Sequence, residues 1–265
     1  GLTTVRFAET RPLPSYLVAF AVGPWAFVDL GGVGRTPTPT RIVVPRGRAA
    51  DTEFVARAYP ELFVRLETWF GMSYPFDKLD HVAIPLSVGF AMENAGLITY
   101  GAVGFLAKPG AATPRYRRGA ANVGAHEIAH QWFGNLVTAA SWSEIWLNEA
   151  FATWISAKAT DDLNPDWYLP LQQRADLDRT MQRDAGAATR AIRSGPVDEA
   201  RVFDVFDNIT YDKGGAVLSM LEQWLGPATF QRGLAAYIAQ RKFSNATAGD
   251  LWFHVGRAAG RDVAG

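Results

Sequence analysis

His126 and His130 stand four residues apart in the string His126-Glu127-Ile128-Ala129-His130, and Glu149 follows nineteen positions later in Leu147-Asn148-Glu149-Ala150. On an α-helix a four-residue step turns roughly 40° about the axis, so both imidazoles face one metal ion. The nineteen-residue gap lets the chain finish that helix, turn, and return a carboxylate from a second one. Two nitrogens and one oxygen suit zinc and leave a fourth tetrahedral position open, which is the mark of a catalytic rather than a structural site. Glu127, beside the ligands and not one of them, is placed to take a proton from water that zinc has acidified and to return it to a departing amine. A string of this kind arises by chance in roughly one chain of this size in a hundred. Here it uses two of only four histidines.

A second group precedes it. Gly89-Phe90-Ala91-Met92-Glu93-Asn94 lies between two strand-like runs and carries one carboxylate, which near a zinc site could bind a free α-amino group. A solvated loop carboxylate is the commoner use of such a residue.

These residues must be positioned by elements the pattern also predicts. Ser15 to Gly23 reads as a β-strand continuing from something upstream, Thr40 to Pro45 and Asp80 to Pro85 as strands, and Gly96 to Tyr100 as an edge strand. Ala49 to Phe70 has helical periodicity. Lys108 to Gly119, with Arg115, Arg117 and Arg118, reads as a basic loop, and helices follow: the metal-bearing one over Ala120 to Phe133, then Ser143 to Thr160, Pro165 to Gln182, Lys213 to Leu225, Ala228 to Gln240 and Ala248 to Ala258. Arg183 to Arg201 lacks apolar periodicity and reads as a loop across the mouth of the site. Strands first and helices later make an α+β arrangement. Glu144 is either a partner to a ligating imidazole or a solvated helix-start carboxylate. His81 and His254 read as structural, and Trp142, Trp146 and Trp154 as packing behind the site.

Bulk composition narrows the classes. At 265 residues, 48% hydrophobic and 20% charged, the chain can bury a substantial core. Lysine plus arginine equals aspartate plus glutamate at 26 each, so no net field attracts nucleic acid. No apolar run approaches the roughly eighteen residues of a membrane span. The lack of cysteine excludes thiolate ligands and disulfides and fits a cytosolic or an exported protein equally. The opening Gly1-Leu2-Thr3-Thr4 has neither an initiator methionine nor a signal-peptide pattern, which reads as a fragment of a longer protein.

The motifs together resemble the gluzincin family of zinc aminopeptidases that includes aminopeptidase N and leukotriene hydrolase. The resemblance rests on Ala91-Met92-Glu93-Asn94, on His126 through Glu149 with its Gln131-Trp132-Phe133-Gly134-Asn135 and Trp146-Leu147-Asn148-Glu149 strings, and on Phe206-Asp207-Asn208-Ile209-Thr210-Tyr211-Asp212-Lys213-Gly214, all in the family's order. It implies a thermolysin-like zincin catalytic domain over 24–265, a mixed sheet followed by a helical subdomain, with residues 1–23 as the last strand of a preceding β-domain. It further implies one zinc ion on His126, His130 and Glu149, a base at Glu127, and an oxyanion donor at Tyr211. Glu93 would hold the substrate amine, with Ala91, Met92 and Asn94 along the bound peptide. The substrates implied are peptides with a free N-terminus, and the parent protein would carry further N- and C-terminal domains. An endopeptidase that ignores the amine and a non-catalytic binding scaffold are the competing readings. The chain departs from the family at Phe90, where a glycine is usual, at Ala150, another frequent glycine, and at Ser141, a frequent tryptophan.

Overall fold

The computed structural model describes residues 3–85, 91–187 and 189–263. A five-stranded mixed sheet fills the first part. Its strands are β1 (Trp25–Val33), β2 (Thr38–Pro45), β3 (Leu79–Ile84), β4 (Ala91–Met92) and β5 (Leu97–Gly101), in the spatial order β1, β2, β3, β5, β4. β1 and β4 run antiparallel to their neighbours, and the inner pairs β2 with β3 and β3 with β5 are parallel. The expected edge strand is therefore interior: Leu97 to Gly101 pairs on both sides, and the two-residue β4 forms the edge. A short strand just before an Asn-Ala-Gly turn is too brief for periodicity to detect. Residues Gly89 and Phe90 lie outside the described residues.

Helix α1 (Glu53–Phe70) covers the sheet with Val55, Tyr59, Leu62, Phe63, Leu66 and Phe70, spaced three and four apart as an amphipathic face requires. Gly71 ends it in the left-handed conformation at φ 69°. After the short α2 (Ala102–Phe105), helix α3 (Pro114–Ala129) crosses α1 at very close range. A Cβ at Gly124 would stand 2.4 Å from the Tyr59 ring, so only glycine permits the approach, and the Tyr59 hydroxyl donates to the Ala120 carbonyl at 3.1 Å. α3 starts six residues before the position expected. Thr113 accepts from the Tyr116 N–H and Pro114 occupies the first turn, so the basic run Arg115 to Arg118 is helical rather than looped.

The remainder is helical: α4 (Trp146–Leu163), α5 (Leu169–Asp184), α6 (Gly214–Leu225), α7 (Pro227–Arg241) and α8 (Ala248–Ala259), with a small parallel pair of β6 (Val137–Ala139) and β7 (Ser244–Ala246). α4 is buried on nearly every side, through Trp146, Leu147, Ala150, Phe151, Ala152, Trp154 and Ile155. Such a helix belongs at the centre of a fold. Phe133 stacks on Phe151 at 4.3 Å and Phe70 on Trp132 at 4.6 Å, which puts an aromatic floor beneath the ends of α3 and α4.

Ser15 to Gly23 does not form the expected strand. Ser15–Leu17 is a turn of 3-10 helix, and the extended backbone that follows pairs with no strand among the described residues. Its residues alternate, with Leu17 buried and Val18, Phe20 and Val22 exposed by 70%, 83% and 90%. The β-like pattern is present without a sheet to join. No helix among the described residues is long and apolar enough to cross a membrane.

Candidate metal centre

His126 and His130 leave the last turn of α3 on one face, and Glu149 comes from the first turn of α4. The three ligand atoms form a near-equilateral triangle: His126 Nε2 to His130 Nε2 is 3.0 Å, and Glu149 Oε2 is 3.4 and 3.3 Å from the two nitrogens. Donors about 2.0 to 2.1 Å from a tetrahedral zinc ion stand about 3.3 Å apart, so this triangle fits three corners of such a site. The His130 Nδ1–H donates to the Phe133 carbonyl at 2.9 Å, which fixes the tautomer that leaves Nε2 free as a ligand. Gly134 turns the chain there at φ 125°, a conformation that favours glycine.

The electrostatics also call for a cation. Glu93, Glu127 and Glu149 are all buried around His130. Burial alone depresses the His130 pKa, but Glu149, Glu93 and Glu127 override it and push it up to about 10. Burial raises the Glu127 pKa well above the usual carboxylate range, reinforced by Glu93 and Glu149 and opposed by His130, and Glu93 is raised in the same way. Glu149 moves down because the two imidazoles outweigh its burial. These shifts hold protons in the cluster, and a divalent ion on the three ligand atoms would take the place of that positive charge. Glu127 Oε2 is buried and has no hydrogen-bond partner among the described residues, as expected of an oxygen reserved for water or substrate.

Tyr211 lies on a π-helical turn, Ile209–Lys213, that runs into α6. Its ring is 6.0 Å from that of His126 and nearly parallel to it, and Glu149 is among the carboxylates that act on its hydroxyl. Burial and the neighbouring carboxylates raise its pKa far above 10, so it is a proton-bearing donor. His126, Glu127 and Tyr211 line one cavity of about 400 Å³ with Asn122, Val123 and Phe206.

Glu93 follows β4 directly, and its placement depends on residues to which the sequence assigned no role. Its backbone carbonyl accepts from Gln131 Nε2 at 2.9 Å and Asn135 Nδ2 at 2.7 Å, while Gln131 Oε1 accepts from the Gly96 N–H at 3.1 Å and the Tyr74 hydroxyl at 3.2 Å. Two buried amides in the apolar stretch after His130 were the available signal. Of the other residues expected along a peptide, Ala91 and Met92 are half-buried on the edge strand, and Ala91 lines an aromatic pocket with Tyr59, Tyr100 and Tyr116. The Asn94 side chain instead holds the fold, donating to the Leu17 carbonyl at 3.4 Å and accepting from Thr99 at 3.2 Å.

Tyr16 is a further site residue that sequence reasoning missed, because it sat in an apparent strand. It receives a hydrogen bond from Asn148 Nδ2 at 3.4 Å, and burial together with Glu93 and Glu149 raises its pKa far above 10. With Trp142, Asn148 and Arg193 it lines a cavity of about 1000 Å³ beside the centre. Arg193 to Val197, within the polar stretch expected at the mouth, form one wall. Glu144 is neither solvated nor an imidazole partner: it is buried and paired with Arg193 at 2.7 Å. His81 is buried against the Tyr100 hydroxyl at 3.0 Å, and burial drives its pKa down to about 3.

Comparison with known proteins places the same residues in a larger context. Residues 55–265 match the model of the peptidase family M1 domain. The chain is 37% identical over 262 residues, 99% of its length, to aminopeptidase M1-A of Oryza sativa subsp. japonica. It is 36% identical over 261 residues to aminopeptidase 2 of Candida albicans and 36% over 266 residues to the alanine/arginine aminopeptidase of Saccharomyces cerevisiae. It spans 28% to 30% of the length of these three relatives.

Proposed function

The chain belongs to peptidase family M1, and on that premise we propose that it carries the zinc centre of an aminopeptidase that releases single residues from the amino end of peptides. His126, His130 and Glu149 hold one zinc ion, which when bound supplies a Lewis acid that acidifies water and polarises the scissile carbonyl. Glu127 takes the proton of the attacking water and hands it to the leaving amine. Glu93 receives the substrate ammonium, Tyr211 donates to the developing oxyanion, and the peptide extends antiparallel along the open edge of β4 past Met92 and Ala91, with Asn94 bracing the turn behind them.

The observation that carries the reading is the placement of Glu93: one ligand atom from each of Glu93, Glu127 and His130 lies within 4.8 Å of the others. A carboxylate so close to the base and a ligand leaves room for one residue between an anchored amine and the bond to be cut. The domain assignment belongs to the same proposal: residues 24–265 form a thermolysin-like catalytic domain, and residues 1–23 the end of a β-domain in a longer parent protein.

The test is hydrolysis of paired reporter peptides, one with a free amino end and one acetylated, by the zinc-loaded protein and its Glu127→Gln variant. Cleavage of the free-amine peptide alone, reduced about 100-fold or more in the variant, is the expected result. Equal cleavage of both peptides would assign an endopeptidase and remove the role given to Glu93. Zinc binding without any cleavage would mean that further domains complete the site or that the fold is used for binding, and the same assay on the full-length protein would separate the two.

A further inference from the structure

The π-helical turn that carries Tyr211 has a guanidinium at its base. Arg190 reaches it from the polar segment after α5. Its Nε and one terminal nitrogen bond the Asp207 carboxylate, the Nε at 3.2 Å. That nitrogen also donates to Thr210 Oγ1 at 2.7 Å and to the Val205 carbonyl at 3.2 Å. The other bonds the carbonyls of Ala191 at 3.0 Å and Ile192 at 3.3 Å. Asp207 in turn accepts from the N–H groups of Ile209 at 3.0 Å and Thr210 at 3.2 Å, and the Thr210 hydroxyl donates to Val205 at 2.6 Å. One planar cation therefore ties the segment before the turn, its first residues and its own backbone into one unit.

We infer that Arg190 is the positioning residue for Tyr211, fixing the turn so that the phenol faces Glu149 and the metal ligands. The inference rests on the role proposed for Tyr211. Arg190 is 24% exposed and Asp207 42%, so their ion pair adds little to global stability. What the fork supplies is direction, since its donors leave at fixed angles that an ammonium cannot reproduce. A π-turn has looser internal hydrogen bonding than an α-helix and commonly occurs at functional sites, so its geometry depends on such external ties. The far side is held independently, by Thr180 and Asn208 on Asp212 at 2.8 Å each and by Lys213 on Asp184 at 2.7 Å. Loss of Arg190 thus frees one side of the turn without releasing it from the fold.

The experiment is a mutant cycle on the zinc-loaded protein with Arg190→Lys, Arg190→Gln, Tyr211→Phe and the double variants, with Thr210→Val as a milder break in the same clamp. Each Arg190 variant is expected to lower kcat about 10- to 100-fold, with KM within about twofold and zinc content unchanged. In the Tyr211→Phe background the same substitutions should have no further effect. Amide hydrogen exchange across residues 207–214 should quicken at least about tenfold in Arg190→Gln, a readout independent of turnover. Multiplicative losses in the double variants, or unchanged exchange, would overturn the inference while leaving Tyr211 its role. An unimpaired Tyr211→Phe enzyme would remove both.

Discussion

His130 meets the backbone through one ring nitrogen and the cluster of acids through the other. The first contact fixes its tautomer and the second leaves the other nitrogen facing Glu149, where it could serve as a ligand. Replacing it with alanine, or Glu149 with glutamine, should lower zinc affinity by at least about 100-fold, read by competition with a chromophoric chelator. The metal-free protein should also show the strain of its acids. His130, Glu93 and Glu127 all have folded-state pKa values above their unfolded ones, so the stability they contribute is complete below the unfolded values and is lost as pH rises toward the folded ones, about 10 for His130. Glu149 acts oppositely, losing its contribution only in acid. Melting temperature with a chelator present should therefore fall between pH 6.5 and 10, and zinc should flatten that slope; parallel curves would dismiss the electrostatic account. The grouping of His126, Glu127, His130 and Glu149 was legible because their spacing encodes a helix face. Gln131, Asn135 and Tyr16 were not, since each works through a partner 38 to 132 residues distant in sequence.

Among the elements, α4 and the start of α6 set the distance between Glu149 and Tyr211. A Cβ on Gly214 would come within 2.7 Å of the Ala150 Cβ. Gly214→Ala should wedge the Tyr211 turn away from α4 and lower kcat about tenfold or more with zinc retained. Adding Ala150→Gly should restore much of it, because the departure from the family's frequent glycine is what makes the contact tight. Failure of that rescue in steady-state assays would show that the two helices do not share this constraint. The aromatic floor is a different kind of determinant: Phe151→Ala, at a fully buried ring stacked on Phe133, should cost about 3 to 5 kcal/mol in denaturant unfolding. Long periodic helices were readable from residue pattern alone. The start of α3 was obscured by arginines that mimic a loop, although Thr113-Pro114 is a helix-entry signal. β1, β4, β6 and β7 were missed because very short strands and glycine-rich ones carry almost no period.

For the whole molecule, the apolar row Val18, Phe20 and Val22 lies open on extended backbone, and the chain is less than a third as long as the relatives described. Unpaired strand-like segments of this kind promote association. Light scattering should show concentration-dependent self-association that Phe20→Ser with Val22→Thr reduces, with zinc content unaffected. Unaltered scattering would place the contact elsewhere.

The two amides that grasp the Glu93 carbonyl have a consequence for measurement of length. Gln131 and Asn135 sit one and five residues beyond His130, so the acid and an ion held by that imidazole would be fastened to opposite jaws of a single caliper. Thermal fluctuation of side chains blurs the jaw tips but does not reset the gap. Shortening Glu93 to aspartate should therefore weaken grip on every substrate without converting the protein into one that counts off two residues at a time.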